Sequence, residues 1–405
     1  LSRRRRLHGA GLAGWLVFSL SLPTAAQVRS DAPDPSTASV RLGIVSLKPR
    51  VRLTNIGVDT NVFSAVDDPQ RDTTATASTG SDLWLRTGRG LLWVSGDAEY
   101  VHFDRFASER SLSSQGRASY ELRFNRIRPV VWAEARDLKQ RPSEEISARV
   151  RQYGIDAGAM IDFRVLSRST MRLEWRHEVS GFSETAFFGG QQLRTQLNHT
   201  VEAVDASWRQ QLTALTTFVA RASLDRTEFA FETTRNSQSY RIYSGFELGQ
   251  FALIRGTVLV GYHELRPDHP AALPAYSGVT ANADVSYTAP TQTRLQAIVD
   301  RELRNSYDPQ SPQYAQQAWR GVVTQRVFGR WDVQLNGGRA QQRYFAVVGT
   351  AARTDRLDRV GGGVGFELAR QLRAGLDISS VSRTSELPGQ SYSGLVGGMS
   401  LIYGY

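Results

Sequence analysis

Apolar and polar residues alternate through most of this chain. Met171, Leu173 and Trp175 alternate with Arg172, Glu174 and Arg176; Leu295, Ala297 and Val299 with Arg294, Gln296 and Asp300; Ala374, Leu376 and Ile378 with Arg373, Gly375 and Asp377. Successive side chains of a strand point to opposite faces, so a period of two predicts strands with one apolar and one polar face. Almost no segment carries a helical period. Alternation suits a soluble sandwich, with its apolar face inward, as well as a membrane barrel, with its apolar face outward.

Spacing separates the two. Tight turns are predicted near Arg89, Arg126, Arg168, Gln211, Phe251, Pro290, Gly329 and Arg370, about 37 to 43 residues apart. Longer polar loops fall near Ser64 to Gly80, Asp104 to Leu112, Lys139 to Ser147, Gly181 to Thr195, Phe231 to Ser237, Arg266 to Tyr276, Asn305 to Gln313, Val347 to Thr354 and Arg383 to Ser391. A propeller blade of that length would hold about four short strands. Each interval here reads as two strands of roughly 10–15 residues, enough for the ~9–11 tilted residues that cross a bilayer. The prediction is an all-β chain folded as a single transmembrane antiparallel up-and-down β-barrel of about 18 strands. Short turns and both termini lie on the periplasmic side and longer loops outside.

The 405 residues are 40% apolar and 22% charged, with no Cys. That composition excludes a disordered chain, and beyond residue 22 no apolar run reaches the ~18–20 residues of a spanning helix. Absence of Cys excludes disulfide scaffolds, Cys-ligated zinc and iron–sulfur sites, and suits passage through an oxidising periplasm. Arg3 to Arg6, the apolar stretch Leu12 to Leu22, and Thr24-Ala25-Ala26 before Gln27 have the basic, apolar and small-residue sections of a secretory signal. The expected organisation is a signal peptide over residues 1–26, a short periplasmic segment over 27–46 and the barrel over 47–405. Loss of the four Arg takes the formal net charge from +10 to +6. The roughly twenty residues before the first strand are too few for a TonB-type plug, assembly repeats or a passenger domain.

Counting back from the C-terminus, Tyr405, Tyr403, Leu401 and Met399 share one face, and Ser400 and Gly398 the other. This resembles the C-terminal signal by which barrel-assembly machinery recognises its substrates. An apolar strand left unpaired at a chain end would invite aggregation, so closure against the first strand, near Arg50 to Phe63, is expected. The same ends carry a family likeness. Gly57-Val58-Asp59-Thr60-Asn61-Val62-Phe63, and Arg383-Thr384-Ser385-Glu386 leading through Tyr392-Ser393-Gly394-Leu395 to Tyr403-Gly404-Tyr405, resemble the putative beta-barrel porin 2 family. The resemblance implies an outer-membrane barrel, and several members of that family are linked to exopolysaccharide export.

With the apolar positions toward lipid, the opposite positions line the lumen. Arg117, Arg123, Arg172, Arg176, Arg221, Arg241, Arg294, Arg359 and Arg373 stand against Glu121, Glu174, Glu178, Asp225, Glu247, Asp300, Glu302, Glu367 and Asp377. A balanced set reads first as a structural lattice of ion pairs, since isolated charges in a confined space are costly. Segregation onto opposite walls would instead create a transverse field that filters polar solutes. Excess positive charge gathers at the periplasmic turns, in Arg89, Arg126, Arg128, Arg168, Arg330 and Arg370. The plain role of this rim is anchoring to lipid phosphates; the functional one is concentrating an acidic polymer at the periplasmic mouth. Trp84, Trp93, Trp132, Trp175, Trp208, Trp319 and Trp331 are expected in interfacial girdles, with sugar stacking as the alternative for any ring that faces inward.

Other chemistry finds little support. Gly361-Gly362-Gly363-Val364-Gly365 opens no helix and so is no phosphate loop. The acids of the first outer loop lack the Gly and terminal Glu of a calcium loop, and no metal or cofactor is expected. No H-E-x-x-H or G-x-S-x-G occurs, so no catalytic residue is proposed; a Ser–His pair at hydrogen-bonding distance would be the sign of a hydrolase. Basic residues alternate with acids and form no stripe for nucleic acid. Together these features predict a channel in the outer membrane of a Gram-negative bacterium for hydrophilic solute or exported polysaccharide, with Ser64 to Gly80 folding inward. Its expected partners are outer-membrane lipids, the barrel-assembly machinery and acidic polysaccharide or periplasmic export components. A closed barrel that serves structure or partner binding is the alternative, and an outer-membrane hydrolase the outsider.

Overall fold

The computed structural model describes residues 32–249, 253–347 and 352–404. The predicted signal peptide, the turn at Phe251, part of the loop before Thr354 and the terminal Tyr405 lie outside the described residues. Eighteen strands make the barrel: β1 (Val45–Asp59), β2 (Asp72–Thr87), β3 (Gly90–Phe103), β4 (Ser111–Leu122), β5 (Ile127–Gln140), β6 (Val150–Leu166), β7 (Ser169–Phe182), β8 (His199–Gln211), β9 (Thr216–Phe229), β10 (Ser237–Leu248), β11 (Ile254–Pro267), β12 (Tyr276–Thr288), β13 (Thr293–Asn305), β14 (Gln313–Val327), β15 (Trp331–Phe345), β16 (Thr354–Ala369), β17 (Leu372–Thr384) and β18 (Tyr392–Tyr403). Each pairs antiparallel with the next, and β18 pairs with β1, so the ladder closes on itself and no edge strand remains among the described residues.

Side-chain period sets the two faces. Val131, Ile155, Leu224, Ile242 and Val360 stand exposed on the outside, and the intervening positions turn inward. Met399, Leu401 and Tyr403 are exposed on β18, whereas Ser400 and Ile402 are buried. Turns at the periplasmic end are as short as Gly88-Arg89, where Gly88 adopts φ +61°, a left-handed geometry that a side chain would strain.

The closing seam is irregular. Asn55 has φ +52°, and both ladders of β1 shift register beside it, between Leu53 and Ile56 against β18 and between Thr54 and Gly57 against β2. This bulge lets β1 turn its inner face from the Arg50 and Arg52 parity to the Gly57 and Asp59 parity without losing closure. At the same place Gly57 meets Gly398 across the seam, and a Cβ on Gly57 would stand 2.0 Å from the Gly397 carbonyl oxygen.

The first outer loop is shorter than expected. Strand β2 starts at Asp72, so Asp72 to Gly80 is wall and not loop, and residues 60–71 only flank the mouth. The segment that folds inward is residues 141–149, between β5 and β6. The Asp72 carboxylate accepts from the backbone N–H groups of Thr73, Arg105 and Phe106, which holds the start of β2 in place.

Candidate channel interior

Charged side chains fill the lumen unevenly. Along β4 to β10 they interlock: Arg117 lies 3.7 Å from Glu134, Arg172 donates to Asp162 at 2.6 Å and Arg221 to Asp205 at 2.7 Å. Arg123 and Arg128 both reach Glu121, Arg128 also reaches Asp162, and Arg241 pairs with Asp225. Glu178 stands 3.5 Å from Arg136, with Arg176 and Glu174 below it on the same face of β7, and Glu247 accepts from Arg209 at 3.3 Å. On the other side Arg304 pairs with Asp300 at 3.2 Å, Glu302 is buried within electrostatic reach of both, Arg326 with Glu367 at 2.8 Å and Arg373 with Asp332 at 2.6 Å. Asp377 accepts from Ser400 at 3.0 Å. Every charged residue expected in the lumen has inward parity. Of their partners, Glu134, Asp162, Asp205 and Arg326 come from stretches whose alternation is blurred by apolar residues on both faces, Val130 with Val131, Met160 with Ile161, Ala203 with Val204 and Val322 with Val323.

The wall from β15 to β18 is different. Gly338, Ser379, Gly394 and Gly398 present little or no side chain, and a cavity of about 690 Å³ runs along it. It extends from Asn61, Ser64, Arg141 and Glu144 near the outer mouth to Gln292, Arg326 and Asp332 near the periplasmic turns. A second cavity, of about 1180 Å³, opens at the periplasmic end. Its lining brings Arg117, Arg123, Arg126, Arg128, Arg164, Arg172, Arg209, Arg221, Arg255 and Arg294 together with only Asp162, Glu174, Asp205, Glu247 and Asp284. Arg255, Arg294 and Gln296 line both cavities, so the two lie against the same side chains. Of the predicted basic rim, Arg89, Arg126, Arg168, Arg330 and Arg370 are exposed at the turns, whereas Arg128 is held inside by carboxylates.

The outer mouth is roofed by the 141–149 loop. Arg141 donates to the Val62 carbonyl and Ser64 Oγ, each at 3.1 Å, anchoring one end beside β1. Glu144 reaches across the lumen to Arg359 of β16 through two contacts, 2.6 and 2.7 Å. Arg383 of β17, almost wholly buried, donates to the backbone carbonyls of Glu144 and Glu145 and to Asp355. Ile146 belongs to an apolar cluster with Val150, Phe182, Ala186, Leu193, Leu197 and Tyr307, which unites three outer loops. Buried Arg235 donates to the carbonyls of Gln196, Ser306 and Pro312, tying in a fourth.

Glu145 is the most enclosed acid of the roof. It accepts from Ser306 Oγ at 2.5 Å and lies 3.7 Å from Arg353, yet burial dominates and pushes its carboxyl up to about 7. A carboxyl raised above its ordinary 4.5 favours the docked loop most below pH 4.5, and that contribution is lost as pH rises through 7. The pH-dependent part is at most about 3 kcal/mol. Open-channel current noise in a planar bilayer is therefore expected to increase between pH 5 and pH 8, and Glu145→Gln to make it independent of pH.

Three tryptophans do not belong to the girdles. Trp84, Trp93 and Trp132 face inward and are buried, because they share parity with Asp82, Asp97 and Glu134. Trp84 donates to the Pro33 carbonyl at 3.0 Å and packs with Trp93 against Ala32 and Ala38, so residues 32–38 sit inside the periplasmic end. Arg117 lies over the Trp93 and Trp132 rings at 5.6 and 5.2 Å, a cation–π stack that occupies the faces a sugar would need. Trp175, Trp208, Trp319 and Trp331 are exposed on the outer surface.

One buried Ser–His pair exists, with His263 Nε2 3.2 Å from Ser239 Oγ. Among the described residues no carboxylate pairs with His263 to orient the ring, and the surrounding backbone N–H groups are engaged in the β10–β11 ladder, which leaves no donors for an oxyanion.

A closed 18-stranded antiparallel barrel with an apolar outside and a charged, hollow inside is the architecture of an outer-membrane porin. The chain belongs to the putative beta-barrel porin 2 family, whose model matches residues 198–403, just over half of it. Among solved structures it is similar to the outer membrane protein opdK from Pseudomonas aeruginosa, with TM-score 0.50 and 8% identity over 88% of this chain and 98% of that one. It is equally similar to a BenF-like porin from Pseudomonas fluorescens Pf-5, with TM-score 0.50 and 9% identity over 89% and 98% of the two chains. No curated protein matches the sequence.

Proposed function

We propose that this barrel is an outer-membrane channel of a Gram-negative bacterium for anionic hydrophilic solutes, acidic polysaccharide among them, gathered from the periplasm. The observation that carries this reading is the Arg-rich periplasmic vestibule, which shares Arg255, Arg294 and Gln296 with the cavity on the glycine-lined side of the lumen. Ten guanidinium groups face five carboxylates of the lining, and even with Glu121 and Glu134, which pair with Arg123, Arg128 and Arg117 from just outside it, a net positive field remains that concentrates anions at the entrance. Exposed pairs at that mouth are screened by salt, so the preference is modest at physiological ionic strength and larger in dilute salt. No bond is made or broken in this reading, and a hydrolase lacks support in the His263–Ser239 surroundings.

The test is the reversal potential across a planar bilayer under a potassium chloride gradient. Anion preference is expected in the wild type. Replacing Arg126 and Arg164 by Gln lowers the anion-to-cation permeability ratio roughly twofold. Equal ratios in variant and wild type would sink the vestibule's role.

The interlocked outer loops favour a second reading, a barrel sealed at its outer mouth that acts through those loops on a partner. Absence of any current from a correctly folded barrel supports it.

A further inference from the structure

Most lumen arginines are neutralised by carboxylates on neighbouring strands, as Arg221 is by Asp205 and Arg172 by Asp162. Those partners are fixed in the wall and cannot leave. Arg359 is different, because its carboxylate arrives from the roof: Glu144, 215 residues away in sequence, makes both contacts. Arg320 of β14 goes further still. Among the described residues no carboxylate lies within ion-pair distance of it, and Asp284 and Glu144 act on it only through space.

Register brings these two arginines together. Arg320 pairs with Gly338, and Gly338 with Arg359, so the three stand in one row across β14, β15 and β16. Two strand spacings separate the outer pair by about 10 Å at the Cα level. Nothing projects between them, since a Cβ on Gly338 would stand 2.6 Å from the Trp319 carbonyl oxygen and 3.3 Å from the Arg320 Cβ. Arg320, Gly338, Arg359 and Glu144 all line the long cavity. Two arginines thus flank a position without a side chain in one row of the long cavity, and a guanidinium fork matches the planar, bidentate geometry of a carboxylate.

We infer that Arg320 and Arg359 form a carboxylate-binding site midway along the lumen, and that Glu144 occupies it as a tethered competitor which a solute carboxylate displaces. The inference rests on the channel reading above and deepens it by naming the group recognised. Exchange is one anion for another: the incoming carboxylate takes the Arg359 contacts, Glu144 is released toward water, and no covalent bond changes. A tethered competitor makes binding self-limiting. The site holds a solute only briefly before the loop carboxylate returns, which lets an anion pass without being trapped by two arginines.

The probe is D-glucuronate, with D-glucose as its uncharged twin, titrated calorimetrically into the full chain refolded in detergent. Glu144→Gln keeps the size of the side chain and removes its charge, and is expected to tighten glucuronate binding about tenfold. Glu144→Asp, one methylene too short to reach Arg359 equally, is expected to fall between the two. Arg320→Gln and Arg359→Gln are expected to lose glucuronate binding, and glucose to bind none of the four variants. Heat-modifiable migration on gels verifies that each barrel is folded. Unchanged or weaker binding in Glu144→Gln, or wild-type binding in Arg320→Gln, overturns the site. A parallel bilayer recording separates this from the channel reading. Current without glucuronate binding overturns the site alone; glucuronate binding in a barrel that carries no current supports the site and removes the channel.

Discussion

Replacing residues 142–148 by a three-residue Gly–Ser–Gly link is expected to raise single-channel conductance several-fold. The loop crosses from β5 to β16 and β17, so its removal clears the span between the ion-pair lattice and the glycine-lined wall. It also deletes Ile146, a fully buried member of the roof cluster with Leu193, Leu197 and Tyr307. Removing a buried Ile from such a cluster costs about 2–5 kcal/mol, so the remaining outer loops loosen as well. An 18-stranded barrel freed of its roof is wide enough for a continuous aqueous path. Conductance equal to wild type would mean that the limiting section lies in the lattice of β4 to β10, and would move attention from the loop to Arg172, Arg221 and their carboxylates.

The second large effect is expected at Arg383. Its side chain is 2% exposed and satisfies Asp355, 1% exposed, at 2.7 Å while donating to two carbonyls of the roof loop. Arg383→Ala removes the pin and leaves the buried Asp355 carboxylate with Arg353, at 3.7 Å, as its cationic partner and the Ser385 hydroxyl, at 2.7 Å, as its donor. Breaking one side of a buried pair costs roughly 3–5 kcal/mol, more than the few contacts at Arg141 can replace. The loop is therefore expected to undock while the barrel stays closed, and trypsin added from outside to cut after Arg149 in the variant and not in the wild type, the Arg141–Pro142 bond being resistant in both. Arg383→Ala combined with Asp355→Ala is expected to recover part of the protection, since no unpaired charge then remains. Equal resistance of Arg383→Ala and wild type would show that Glu144 and Ile146 hold the loop by themselves.

Much of the wall was legible from alternation. In β7 the run from Met171 to Arg176 places each residue on its correct face, because charged and apolar positions strictly interchange. The strand count and the eight turns follow from the same pattern, read with the short hydrophilic breaks between runs. Trp84 shows where the pattern fails. Leu83 and Leu85 flank it, so three apolar residues in succession carry no period, and only the parity of Asp82, two residues earlier, marks the ring as internal. The roof was hidden for another reason. Pro142-Ser143-Glu144-Glu145 reads as any polar loop, and its meaning lies in Arg359 and Arg383, more than two hundred residues away, which the barrel's curvature brings opposite. The Ser64 to Gly80 segment was the more polar and longer candidate for an inserted loop, yet its Thr-rich second half pairs fully with β1 and β3. Local composition identifies loops; it does not say which of them turns inward.

The seam of glycines where β1 meets β18 bears on how the molecule comes into being. Strand pairing elsewhere forms between neighbours in the chain, but this last ladder joins residues more than three hundred positions apart and must wait until the rest of the cylinder has curled. At that moment Gly57 passes within contact of the Gly397 and Gly398 backbone, with no side chain to be sorted aside. A larger residue there would leave the interior unchanged in every cylinder that closed, while reducing how many do. Variation at the seam is thus filtered at biogenesis, by yield, before transport is ever tested.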